Sequence, residues 1–163
     1  MQPFDKLRAN GLGFCSVSFE VALPDLSAME ALGGRIAERL RAGDVVALSG
    51  GLGAGKTTLA RAIIAALGHP GEVPSPTFTI LETYDALDPP LVHADFYRLE
   101  RVEEAEELGL DDYREGRALL AEWPENASGF VHEPQCLAIA LEIAGNGRVA
   151  IVEPGSDWLG RLP

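Results

Sequence analysis

The chain has 163 residues, 47% hydrophobic and 23% charged, which suits one domain burying roughly 68–70% of its unfolded surface and excludes wholesale disorder. Thirteen basic against 25 acidic residues leave a formal net charge of −12, which argues against autonomous binding to DNA, RNA or anionic membranes, because an acidic chain gains nothing from counterion release. No apolar run approaches the ~18 residues of a membrane span, and Cys15 and Cys136 stand far apart with no zinc-type spacing, as in a cytoplasmic protein with reduced thiols.

Residues 1–16 read as a polar, disordered tail, and 17–163 as a single domain. From Val17 to Leu23 apolar and polar residues alternate, the period of a half-buried strand, and Pro24 and Asp25 end it. Ser27 and Glu30 have capping-box spacing for a helix whose apolar stripe is Leu32, Ile36 and Leu40. Gly33 and Gly34 weaken that helix by about 1 kcal/mol each relative to Ala. Asp44 to Ser49 is a short continuous apolar run, the pattern of a strand covered on both faces, and Thr57 to Leu67 reads as a helix stopped by Gly68 and Pro70. Residues 69–77 carry three prolines and read as loop. Alternation resumes from Phe78 to Tyr84, and Leu91–Asp95 and Ala118–Glu122 are buried-type runs that each end in a carboxylate. Between them, Val102 to Leu108 reads as an acidic helix. Asn146-Gly147 joins two apolar runs as a hairpin, and Trp158 marks a short docking helix. The expected fold is α/β: a mostly parallel central sheet flanked by helices, with an antiparallel C-terminal hairpin.

Gly50-Gly51-Leu52-Gly53-Ala54-Gly55-Lys56-Thr57 fits G-x-x-x-x-G-K-[ST], with a strand entering and a helix leaving. Glycines let backbone N–H groups curl around a phosphate, and the helix N-terminus adds positive potential. In such a loop Lys56 reaches the β- and γ-phosphates and the Thr57 hydroxyl ligates Mg2+. Asp95 and Glu122 end strands on the same side of a parallel sheet as this loop, so both can approach the metal or an attacking water, and spacing alone does not divide those roles.

Four further segments follow in order: Ser75-Pro76-Thr77-Phe78, His93-Ala94-Asp95-Phe96-Tyr97-Arg98, Leu108-Gly109-Leu110-Asp111-Asp112-Tyr113 and Glu122-Trp123-Pro124-Glu125. With the glycine loop, this set resembles the TsaE family of small bacterial P-loop ATPases required for threonylcarbamoyladenosine (t6A) modification of tRNA, from about Val17 to about Pro154. The resemblance implies a P-loop ATPase in which Gly50 to Thr58, with Thr77 and Trp123, hold ATP. It implies Thr57, Asp95 and Glu122 at Mg2+ and water, with Lys56, Asp95 and Glu122 as the catalytic group. It further implies protein partners TsaD and TsaB, and contact with tRNA only through their complex. Gly51 stands where the family usually has Asp.

Two other readings of a phosphate loop bear on these residues. A small-molecule kinase needs an acceptor site, commonly with clustered arginines, and the arginines after the loop form no compact cluster in sequence. A GTPase of the common type reads guanine with N-K-x-D, and none of Asn10, Asn126 and Asn146 is followed by Lys, which favours ATP.

Overall fold

The computed structural model describes residues 17–163, so the tail expected over 1–16, with Cys15, lies outside the described residues. Seven strands form one sheet: β1 (Phe19–Leu23), β2 (Val45–Ser49), β3 (Leu81–Tyr84), β4 (Leu91–Asp95), β5 (Ala118–Glu122), β6 (Cys136–Ala144) and β7 (Gly147–Pro154). Their order is β1-β7-β6-β2-β5-β4-β3. The centre, β6-β2-β5-β4, is parallel, and both edges are antiparallel, β3 against β4 and the β6–β7 hairpin against β1. This is the α/β architecture expected from the alternating elements, with an antiparallel strand added at each side.

The apolar runs explain the layering. In β2, Val46 and Leu48 face one side and join a core with Leu32 and Ile36 of α1 (Leu26–Arg39) and Leu59, Ile63 and Ile64 of α2 (Lys56–Ala66). Val45 and Ala47 face the other side and pack with Phe96, Leu99, Phe130 and the short helices α3 (Glu103–Glu107) and α4 (Leu110–Arg114). Cys136 lies in this second layer, where burial pushes its thiol up to about 12 and leaves it unreactive. Trp158 is fully buried, donates from Nε1 to the Gln135 carbonyl at 2.8 Å, and lies 4.1 Å beneath Arg161. Arg161 in turn grips Asp44 with two hydrogen bonds of 2.6 and 2.7 Å, tying the C-terminus to the start of β2.

Several local expectations change. The α1 cap is Asp25, whose carboxylate accepts from Ala28 N at 2.9 Å; Ser27 and Glu30 lie inside the helix, because a better acceptor precedes them. The strand expected from Phe78 begins only at Leu81, since Ile80 adopts φ +67° and donates its N–H to the Pro76 carbonyl at 2.8 Å, curling the chain back.

Gly33 has a packing reason that propensity hides. A Cβ there would lie 2.6 Å from Ala62 Cβ and 3.0 Å from Ala62 C, so α1 and α2 touch at this point, whereas a Cβ on Gly34 meets nothing within 4 Å. Gly33→Ala is therefore expected to destabilise by about 1–3 kcal/mol through overpacking, despite the propensity gain. Gly34→Ala is expected to stabilise by about 0.5–1 kcal/mol. Urea denaturation of both variants checks the pair, and equal shifts would show that helix contact does not decide.

Candidate nucleotide site

The glycine loop connects β2 to α2 at the C-terminal edge of the parallel strands, where the chain leaves β2 toward β3 at one edge of the sheet while the neighbouring β6 leads to β7 on the other side. Such a switch point is the usual ligand crevice of an open α/β sheet. Gly50, Gly53 and Gly55 have φ of +137°, +75° and +107°, a region that L side chains rarely enter. A Cβ on Gly50 would also lie 2.5 Å from the Leu141 carbonyl. Leu52 points outward at 72% exposure, and Ala54 packs into the core. Gly51 has open space around its Cα, so a Cβ there would meet nothing within 4 Å.

Lys56 opens α2 and is 5% exposed. Its ammonium donates to the carbonyls of Gly50 and Gly51 at 2.7 and 2.8 Å and lies 4.2 Å over the Trp123 ring. Burial pulls its pKa below the ordinary lysine value, opposed by the charges of Glu122, Glu125 and Asp95. Trp123 reaches this position through a left-handed backbone (φ +55°), a strained turn directly after β5, and its ring meets Tyr97 at 5.0 Å. Thr58 lies one position further along α2 and lines the groove between α1 and α2 with Leu26 and Glu30.

The two strand-end carboxylates are direct register partners, Asp95 in β4 opposite Glu122 in β5. They differ in their contacts. Glu122 is 1% exposed; its Oε2 accepts from the Thr57 hydroxyl at 2.8 Å and its Oε1 pairs with His93 Nε2 at 2.9 Å. His93 is fully buried and its Nδ1 has no protein partner, so the proton sits on Nε2, facing the carboxylate. Asp95 accepts from Tyr97 N at 3.0 Å and, at a long 3.4 Å, from Thr77 Oγ1, which also bonds Ser75 Oγ at 2.7 Å. Burial raises the Asp95 carboxyl above its ordinary value; the Tyr97 N–H opposes this and the Glu122 charge adds to it.

The oxygens here suit a magnesium ion. Among the described residues no three His, Cys, Asp or Glu side chains converge as a metal cage. What stands at the loop is one hydroxyl and one carboxylate, and because Thr57 gives its proton to Glu122, its lone pairs remain free for a cation. One or two protein oxygens completed by phosphate oxygens and water is the usual arrangement for Mg2+.

Fold and sequence thus bring Gly50–Gly55, Lys56, Thr57, Thr77, Asp95, Glu122 and Trp123 to one crevice. Arg98 stacks on the 80% exposed Phe78, with Cζ 4.4 Å from the ring, on the rim beside Thr77. In the sequence a histidine inside the buried-type run Leu91–Asp95 reads as packing as readily as a site residue, and nothing there assigns a role to Arg148, whose guanidinium bonds the loop carbonyls of Gly53 and Ala54. No local signal marks Arg148, which lies 94 positions from Ala54.

Comparison with known proteins identifies the family and the fold. The profile of the family described as threonylcarbamoyl adenosine biosynthesis protein TsaE matches residues 23–150. A Streptomyces coelicolor protein named tRNA threonylcarbamoyladenosine biosynthesis protein TsaE is 50% identical over 100 residues, covering 60% of this chain and 68% of that protein. A protein of the same name from Haemophilus influenzae is 39% identical over 121 residues, covering 71% of this chain and 77% of that one. The crystal structure of YdiB from Bacillus subtilis matches with a TM-score of 0.71 at 28% identity, over 90% of this chain and 92% of that chain.

Proposed function

The chain belongs to the TsaE family of t6A biosynthesis proteins, and from that membership we propose that it is a Mg2+-dependent ATPase that acts as a switch on a cytoplasmic TsaD–TsaB complex. The observation that carries this reading is the 2.8 Å bond between Thr57 and Glu122, which joins the phosphate loop to the end of β5 across 65 positions of chain. It sets a hydroxyl and a carboxylate beside the loop that cradles the phosphates.

When bound, Mg2+ supplies charge neutralisation on the β- and γ-phosphates. Thr57 and Glu122 are the residues that would hold it, and His93 fixes the carboxylate through Nε2. Lys56 exchanges the Gly50 and Gly51 carbonyls for phosphate oxygens, a short movement of a flexible side chain. Asp95, with Thr77 beside it, would orient the attacking water. Phosphoryl transfer depends mainly on such positioning and electrostatics. Arg98 lies on Phe78 rather than against the carboxylates, so full turnover waits on a partner that moves it or brings an arginine of its own. Such a residue contributes about 10³–10⁵ in rate. Phosphate release by the chain alone, compared with the chain plus TsaB and TsaD, tests this; equal rates would sink the switch.

In this reading the partner contact lies on α3 and α4. Glu106, Asp111 and Asp112 line a groove of ≈ 580 Å³ there with the buried Ala105, Leu110 and Phe130, and Glu103, Glu104 and Glu107 lie on the same helix α3. Arg101 is already paired with Glu104 and Glu107. A basic, partly apolar partner surface fits this face. Association is expected to slow about tenfold or more between low and high salt, and again on charge reversal of Glu106 and Asp111 to Lys. Stopped-flow mixing at several salt concentrations measures both, and a salt-independent rate would remove this surface from the contact.

A further inference from the structure

We propose that Arg148 is a positioning residue for the phosphate loop, a clamp that orients the loop's peptide planes from a strand two places away in the sheet. Its Nε donates to the Ala54 carbonyl at 3.1 Å and its Nη2 to the Gly53 carbonyl at 2.9 Å. Its Nη1 donates to the Gly147 carbonyl at 2.9 Å, which fixes the guanidinium plane relative to its own strand. The mounting is rigid. Arg148 sits in β7, which is flanked on both sides, with Leu23 of β1 and Ile143 of β6 as its register partners. Gly147 before it packs so tightly that a Cβ would lie 2.7 Å from the Leu23 carbonyl.

The consequence for the loop follows from peptide geometry. A peptide unit is planar and trans, so its carbonyl and the following N–H point in opposite directions. Holding the Gly53 carbonyl toward Arg148 turns the Ala54 N–H to the other side of the loop, where it closes a turn onto the Gly51 carbonyl at 3.2 Å. Holding the Ala54 carbonyl does the same for the N–H of Gly55, a residue at φ +107°. Gly53 and Gly55 have little intrinsic preference for this conformation, and freezing a glycine costs more entropy than freezing any other residue. A fork of fixed geometry that takes both carbonyls supplies that order before nucleotide arrives. Lys56 holds the carbonyls of Gly50 and Gly51, so two cations engage four of the loop's carbonyls. Lys56 must let go to meet a phosphate, whereas Arg148 has no need to move.

This inference rests on the reading of the loop as an ATP site, and its test separates the two. Arg148→Ala and Arg148→Lys are compared with the unaltered chain by hydrogen exchange of the segment 50–56 without nucleotide and by titration with Mg-ADP. The expected result is faster exchange of the loop in both variants, with exchange in β2 and β5 unchanged. Mg-ADP affinity is expected to fall about 10- to 100-fold in Arg148→Ala, the scale of about one charge-assisted hydrogen bond. Arg148→Lys, which keeps the charge but not the fork, is expected to recover only part of it. Unchanged loop exchange overturns the clamp, as does full recovery of affinity by Lys, which would leave only a charge effect. If the unaltered chain binds no Mg-ADP, the ATP-site reading fails, while the exchange comparison still decides the clamp.

Discussion

Lys56→Ala is expected to lower ATP turnover by about 10²–10³-fold or more, the loss seen when one preorganised donor is removed from a site of developing charge. The side chain is 5% exposed and already turned into the loop, so it acts at short range in a water-poor crevice, where its charge is weakly screened. The variant should fold. Burial pulls the Lys56 ammonium below its ordinary pKa, so the charge is held at a cost that offsets part of what its two hydrogen bonds and its contact with Trp123 contribute. Lys56→Arg does not substitute, because a planar fork does not fit a pocket formed by two adjacent carbonyls under an indole ring. Phosphate release gives the rate, and t6A formation in a reconstituted reaction gives the consequence. Undiminished t6A formation with Lys56→Ala would separate the modification from ATP turnover and end the proposed switch.

The second large effect lies in the carboxylate pair, where two neutral substitutions are expected to share a loss of turnover and to differ in stability. Glu122→Gln and Asp95→Asn should each cost about 10²–10⁴ in rate, the range for a carboxylate that handles protons or water in the transition state. Glu122 accepts two hydrogen bonds, from Thr57 and His93, while 1% exposed. A glutamine amide presents two protons to that network. Either Thr57 must turn its own proton away or His93 must move its proton to Nδ1, which has no partner, so Glu122→Gln is expected to destabilise by about 1–3 kcal/mol.

Asp95 behaves in the opposite sense. Its carboxyl is raised chiefly by burial, so the native state disfavours the ionised form. The contribution to stability is complete below the unfolded carboxyl value of about 4 and is lost as the pH rises through the higher folded value. Asp95→Asn mimics the protonated acid and is expected to melt at a higher temperature than the unaltered chain at pH 7, with the gap closing toward pH 4. Thermal melts across that interval check the sign; a lower melting point for Asp95→Asn at pH 7 would show that its bonds to Tyr97 and Thr77 outweigh the buried charge.

The difference between these two acids is what the linear chain concealed. Asp95 and Glu122 each end an apolar run, and period and composition treat them alike. Their roles separate only because β5 places Glu122 next to β2 and the loop, while Asp95 lies one strand further out and meets the Ser75–Phe78 turn. His93 was ambiguous for the same reason: a histidine in a buried strand reads as packing until the strand across from it is known to carry Glu122. The Gly33 contact with Ala62 is likewise a fact about two helices, and the helix pattern alone marks Gly33 only as a weak position. At the α1 start the local signal itself misled, since Asp25 competes with Ser27 and stands earlier in the chain.

Local chemistry, by contrast, carried through. A strand entering and a helix leaving a G-x-x-x-x-G-K-T run is a short-range pattern, and steric limits on glycine, proline and apolar alternation act over a few residues wherever the segment ends up. The sequence by itself therefore determined the phosphate loop, its lysine and threonine, the buried strands, the C-terminal hairpin and the family resemblance. The tertiary structure decided which carboxylate meets Thr57, what His93 holds, and that Arg148 reaches the loop from β7, two strands away. Those contacts join residues from 29 to 95 positions apart. Hydrogen bonds act only over about 3 Å, so no pattern along the chain encodes them until strand order brings their partners together.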